Sequence, residues 1–220
     1  MYKLGEQFEL DYDQAKSNPK AVFQGEKYRI TVLTESLIRL EYNSNGIFED
    51  RPTELVHKRN FEVPKINAQQ DQYFLEITTD FFKLYYKKEK NFYAGRIYPT
   101  ANLSIMSSES ERIWYYKHPE VRNYGAPNDI LIDKKNKYQF VKGLYSLDGF
   151  VSIDDSKSDI IDQGGFLIER EDAAIDIYVF VYGKNYQKCL QDYFAITGKP
   201  ALIPRFALGN WWSKKDDYND

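Results

Sequence analysis

The 220-residue sequence predicts a mainly β, antiparallel fold of the sandwich or barrel type, with one late α-helix. Three observations carry this expectation. Aromatic residues make up 16% of the chain, with Tyr 19 and Phe 14, and such side chains fit half-buried pleated surfaces. Short runs of β formers, broken by small polar turns, recur at close spacing. Convincing helical periodicity occurs in a single late segment.

The elements follow in chain order. Tyr28-Arg29-Ile30-Thr31-Val32-Leu33 alternates polar with apolar residues and reads as a strand. Thr34-Glu35-Ser36 is a turn, and Leu37-Ile38-Arg39-Leu40-Glu41-Tyr42 is the returning strand, closed by Asn43-Ser44-Asn45-Gly46. The same hairpin design recurs at 73–78 and 81–86, with Thr79-Asp80 as the break. Further strands are expected at 103–105, 113–116, 150–153 and 176–182. In 186–196, Tyr186, Leu190, Tyr193 and Phe194 fall at i, i+4, i+7 and i+8, which is one face of a helix. Asn185 is its N-cap, and Gly198 with Pro200 stops it. Cys189 lies beside that face and reads as a buried, inert thiol.

After Pro200 the character changes. Pro204-Arg205-Phe206-Ala207-Leu208-Gly209-Asn210-Trp211-Trp212-Ser213 is largely apolar, with adjacent Trp residues. Neighbours on a strand point to opposite faces, so such a strand needs cover on both sides, as in the inner strand of an α/β barrel. The expectation is a fragment: a β domain over 1–200, then a linker and the first strand of a second domain over 201–220.

Composition excludes several functions. Lys+Arg 30 against Asp+Glu 33 leaves a net charge of −3, which provides no basic face for nucleic acid. One Cys permits no internal disulfide and no Cys-based zinc site. His57 and His118 lie far apart and read as structural or surface residues, so no metal and no cofactor is expected. No apolar run approaches a membrane span, and the first residues lack a signal-peptide layout, which makes the cytoplasm the default location. Asn102-Leu103-Ser104 matches a glycosylation sequon and is read as chance.

Three segments share a pattern. The first spans 28–61 and includes Leu37-Ile38-Arg39-Leu40-Glu41-Tyr42 and Phe48-Glu49-Asp50-Arg51-Pro52-Thr53. The second is Gly143-Leu144-Tyr145-Ser146-Leu147-Asp148-Gly149-Phe150, followed by Ile153-Asp154-Asp155-Ser156. The third is Tyr178-Val179-Phe180 with Tyr182-Gly183, the helix, Thr197-Gly198-Lys199-Pro200 and Pro204-Arg205-Phe206-Ala207-Leu208-Gly209. In this order they resemble the N-terminal part of glycoside hydrolase family 31, the α-glucosidase and α-xylosidase family. The second is similar to that family's Gly-Leu-Leu-Ser-Arg-Asp-Gly-Trp…Ile-Asp-Asp-Ser pattern.

The resemblance implies an antiparallel, galactose-mutarotase-like β sandwich, truncated at the first strand of a (β/α)8 barrel, about 206–213. It implies a retaining α-glycoside hydrolase with one carboxylate as nucleophile and another as acid/base. In the family both are Asp residues on later barrel strands, so the fragment is expected to be inactive and the complete protein active. The implied partners are an α-linked oligosaccharide or glycoside substrate and the missing catalytic barrel. The uncovered apolar surface near the helix and tail is expected to be buried in a homo-oligomer or lattice contact.

The family also sends an N-terminal loop over the barrel mouth, here 123–150. Asp148 is the first choice for a sugar contact, because a carboxylate accepts charge-assisted hydrogen bonds from hydroxyls. An Asp-Gly turn explains Asp148-Gly149 without a ligand, and the two roles coexist. Lys214 matches a basic position in the family's sugar pocket. Lys215 and Asp216 do not supply the aromatic residue usual after it, and Tyr218 is displaced by a few positions, so either the pocket has a polar wall involving Lys214 and Asp216 or the terminal residues take another path. Asp154-Asp155-Ser156 reads as a strand-end turn, and Lys134-Lys135-Asn136-Lys137 as a solvated loop tip. Two other functions are weighed against this: an aldose-epimerase-type enzyme, which requires a His acid, and a non-catalytic carbohydrate-binding or assembly module.

Overall fold

The computed structural model describes residues 10–95, 102–127, 140–170, 174–200 and 202–209. After a short helix α1 (Tyr12–Ala15) come β1 (Val22–Gln24), β2 (Tyr28–Val32), β3 (Leu37–Tyr42), β4 (Asn67–Gln70), β5 (Phe74–Thr78) and β6 (Phe82–Lys87). β7 (Leu103–Ser107), β8 (Ile113–Tyr115), β9 (Ala126–Pro127), β10 (Phe140–Val141) and β11 (Phe150–Asp154) follow. β12 (Ile160–Ile161), β13 (Leu167–Ile168), β14 (Ile175–Val181) and helix α2 (Tyr186–Thr197) complete the order. Each strand expected between residues 28 and 182 is present, within one or two residues at its ends. The strands that escaped the sequence reading are short, such as β1, or polar, such as the fully exposed edge strand β4.

Two antiparallel five-stranded sheets, β1-β2-β3-β14-β11 and β4-β5-β6-β7-β8, face one another. Ile30, Ile38, Leu40 and Val179 of the first sheet pack against Leu75, Ile77, Leu84 and Ile105 of the second, all fully buried. Trp114 and Phe150 close the same core. This is a β sandwich, as expected. Burying each such aliphatic side chain contributes about 1.5–3 kcal/mol.

The sheets differ on their outer faces. In the second sheet the alternation is simple: Leu75 and Ile77 point inward, whereas Phe74, Glu76 and Thr78 remain partly exposed. The first sheet is covered on both faces, so β2 is buried throughout and β3 nearly so. At one end its outer face is apolar. Leu33, Leu37, Val151, Phe180 and Tyr182 pack there beneath Cys189 and Ile196 of α2.

α2 has the expected caps: the Asn185 side chain accepts from the Lys188 N–H, and Gly198 at φ 92° ends the helix. Its buried face is rotated from the expected one. Leu190 is exposed, whereas Cys189, Asp192 and Ile196 are buried. The cause is a polar tie. Asp192 accepts from Thr34 Oγ1 at 3.1 Å, from Ser36 Oγ at 2.5 Å and from Lys188 Nζ at 2.8 Å. Thr34 and Ser36 form the tip of the β2–β3 hairpin, which therefore draws Asp192 inward.

The other end of that outer face is ionic. Arg29, Glu41 and Asp176 are direct cross-strand neighbours on β2, β3 and β14. Arg39 donates to both oxygens of Asp176 at 2.8 and 2.7 Å, and Arg29 to both oxygens of Glu41 at 2.6 and 2.9 Å. Segment 49–59 roofs this row. Arg59 donates to the Tyr178 hydroxyl, and Thr53 to Asp155, which ion-pairs with Arg170 at 3.5 Å. Burial alone would raise the Asp176 pKa, but the charge and hydrogen bonds of Arg39 outweigh it and hold the carboxyl well below its usual range. Asp155 goes the other way, pushed up by burial and then by the neighbouring Asp176 charge.

The tail departs from expectation over its described part. Arg205–Leu208 forms a 3-10 turn, not the start of a strand, and Leu202, Ile203, Phe206 and Leu208 are exposed. No described strand lies alongside to pair with it. Leu190 on α2 is exposed as well. Trp211, Trp212, Lys214 and Asp216 lie outside the described residues. No helix among the described residues is long and apolar enough to cross a membrane.

Replacing Asp176 by Asn strands Arg39 in the interior, so a loss of about 3–5 kcal/mol is expected in urea unfolding at pH 7. The pH dependence has a definite sign. A depressed folded pKa gives stability that is present above the unfolded value of about 3.9 and lost as pH falls through the folded one. The gap between parent and Asp176→Asn should therefore narrow below about pH 4. A gap that stays constant from pH 7 to pH 3 would refute the assignment.

Candidate functional site

Segments 120–127 and 140–149 run side by side as an antiparallel ribbon that lies between β8 and β11 in the chain. Its pairings are Asn123 with Ser146, Ala126 with Val141, and Pro127 with Phe140. Tyr124 N–H donates to the Tyr145 carbonyl at 2.7 Å, and Leu147 N–H to that of Arg122 at 3.0 Å. The Asn123 side chain bonds both backbone groups of Gly143. Glu120 anchors the ribbon to β11. Its buried carboxylate accepts from the Ser152 N–H and Oγ, and its backbone is left-handed at φ 48°. The ribbon tip, 128–139, with Asp129, Asp133 and the Lys134-Lys135-Asn136-Lys137 run, lies outside the described residues.

Asp148 sits at the ribbon base and is 4% exposed. Its Oδ1 meets Arg112 Nη1 at 3.0 Å and Arg122 Nη1 at 3.3 Å. The two guanidinium side chains are 48% and 40% exposed. The local fold is the Asp-Gly turn anticipated from the dipeptide. Asp148 N–H donates to Ser146 Oγ, Gly149 N–H donates to the Ser146 carbonyl, and Gly149 has φ 76°. Gly149 is also needed for space, because a Cβ there would stand 2.7 Å from Gly183 backbone atoms.

Any ligand would therefore reach Asp148 together with the two arginines. Their outward N–H groups match hydroxyl or carboxylate oxygens, and Asp148 orients them. Sequence reasoning missed Arg112 and Arg122. No spacing signals them, because Arg112 flanks β8 of the opposite sheet and joins Asp148 only in the fold.

Tyr145, Tyr182 and Tyr186 pack together, Tyr145 edge to face with Tyr186 at 5.3 Å and Tyr182 tilted against Tyr186 at 5.6 Å. The Tyr182 hydroxyl accepts from the Ser146 N–H at 2.6 Å, locking the ribbon base onto β14 and α2. Burial pushes the Tyr182 hydroxyl pKa up, so it stays protonated in this role.

The other sequence candidates have structural roles. Asp154 accepts from the Ser156 N–H at 3.0 Å in the expected turn. Asp155 points into the ionic cluster and is fully buried, so the two do not act as paired carboxylates. His118 packs edge-on to Phe150, and its Nδ1 accepts from the Glu120 N–H. His57 is partly buried, and burial lowers its pKa. The Asn102 side chain is buried and bonded to the backbone of Lys90, Asn91 and Tyr93.

No family model matches the chain, and no curated protein matches it. Among solved structures it is similar to a GH31 dextranase of Flavobacterium johnsoniae complexed with glucose, at 14% identity and a TM-score of 0.49, over 86% of this chain. It is likewise similar to a mutant of that dextranase complexed with isomaltotriose, at 16% identity and a TM-score of 0.48, again over 86% of this chain. The chain spans 28% of the length of the chain it matches in each case.

Two substitutions test the ribbon base. Gly149→Ala forces a side chain into the left-handed region and against Gly183, so a loss of about 1–3 kcal/mol is expected. Asp148→Ala removes the shared partner of two half-exposed arginines, for which about 1 kcal/mol is expected. Equal stability of Gly149→Ala and parent in urea unfolding would contradict the geometry.

Proposed function

We propose that this chain is the N-terminal β-sandwich portion of a retaining α-glycoside hydrolase of the family 31 type, acting on α-glucosides or α-xylosides. One observation carries the reading: the segments that resemble the family interlock. Leu37, Ile38 and Arg39 of the first pair with Phe180, Val179 and Tyr178 of the third, and Thr53 of the first bonds Asp155 of the second. The Gly149 carbonyl of the second accepts from the Tyr182 and Gly183 N–H groups of the third. Motifs more than a hundred residues apart thus form one structural unit, as expected if the pattern is inherited whole.

In this reading 1–200 supports a catalytic barrel whose first strand begins within 201–220, and the catalytic carboxylates lie on later strands. The ribbon overhangs the sugar pocket, with Arg112 and Arg122 oriented by Asp148. Lys214 and Asp216, outside the described residues, are the pocket's candidate polar positions. The exposed 202–208 segment suits burial against that barrel or a second copy. The same segment disfavours a self-contained binding module. A single buried thiol suits a reducing compartment such as the cytoplasm.

The test is turnover of nitrophenyl α-glucoside and α-xyloside by this chain and by a protein carrying the coding sequence beyond Asp220. Turnover by the longer protein alone is expected. Arg122→Ala in that protein should raise KM several-fold with kcat nearly unchanged, the signature of lost ground-state binding. Activity in the chain itself, or silence from both proteins, would overturn the reading.

A further inference from the structure

Among the described residues no helix or strand covers the outer face of the second sheet, and its register sets two straight rows of side chains across the strands. Gln69, Glu76, Tyr85, Ser104 and Tyr115 are successive direct neighbours on β4 to β8. Asn67, Thr78, Lys83, Met106 and Ile113 form the parallel row. Over the first three strands the rows enclose a depression of about 190 Å³, lined by Asn67, Gln69, Glu76, Thr78 and Lys83.

The chemistry of this face is specific. Its floor is wholly polar, offering two amides, a hydroxyl and an ion pair. Glu76 and Lys83 meet at 3.0 Å, so their charges cancel and the floor has no net attraction for a charged polymer. Beside the floor, the Tyr85 ring leans on Phe74 at 5.3 Å and 30°, which steadies an amphipathic ring at the rim. Tyr115, edged by His118 at 4.8 Å, ends the same row two strands further on. Planar amides and carboxylates pair with vicinal hydroxyls, and aromatic faces take the C–H face of a pyranose.

We propose that this face is a binding surface for a neutral, linear α-glucan, separate from the ribbon base. It extends the substrate class of the preceding section to a second site and shares no residue with the first. The chain should be retarded in native gels containing soluble starch or dextran. Tyr85→Ala should weaken that retardation about tenfold, the scale of one lost aromatic contact. Gln69→Ala, at an exposed edge position where unfolding is not at issue, should weaken it several-fold. Tyr85→Phe keeps the ring and should bind as the parent does. Absence of retardation by either glucan overturns the proposal. So does retardation that survives both Tyr85→Ala and Gln69→Ala, or that is lost only with Arg122→Ala, which would move binding to the ribbon. Turnover by the longer protein is independent of all three outcomes, so the two readings fail separately.

Discussion

The fold depends on an ionic row sealed between a sheet and its roof. Arg29, Glu41, Arg39 and Asp176 lie on β2, β3 and β14 with their charges paired out of water. A one-residue slip of any of these strands would turn its charges into the apolar space between the sheets, where desolvation would not be offset. The row therefore fixes the register of the three strands that form the centre of the sandwich. It also fixes what covers them. Segment 49–59 must cross there to bring Thr53 and Arg59 to Asp155 and Tyr178, and Arg170 must return to meet Asp155 and Asp176.

Much of this architecture is legible in the sequence, and the exceptions have physical causes. Alternation located β5 and β6 well, because one face of that sheet meets solvent. In β2 and β3 the same alternation marks strands correctly but misleads about exposure, since Arg29, Arg39 and Glu41 are buried partners. A linear pattern cannot distinguish a charge facing water from a charge facing its mate. The rotation of α2 has the same origin: Leu190 looks like a core residue and Asp192 does not, until the hairpin tip supplies two hydroxyls. At the candidate site, Asp148 was visible through its motif, whereas Arg112 and Arg122 come from segments with no motif of their own. The aromatic and amide rows of the open sheet were invisible for a different reason. They exist only once five strands are in register.

The residues that carry the family resemblance turn out to be mostly scaffold. Arg39, Glu41, Thr53, Asp155 and Gly149 hold strands, roof and turn together, and none of them is exposed to a ligand. A sequence can therefore retain the pattern while its chemistry drifts. The two arginines at the ribbon base lie outside that pattern.

Cys189 has a consequence of its own. It is the chain's single cysteine, fully buried under α2 with its Sγ 3.6 Å from the Leu144 carbonyl oxygen, and burial pushes its thiol pKa up. An alkylating reagent can reach it only when the helix lifts from the sheet and the thiol regains its ordinary acidity. The molecule thus contains a native clock for one specific movement. The rate at which the intact protein takes up a thiol label counts the departures of α2, the element that leads from the sandwich into the tail.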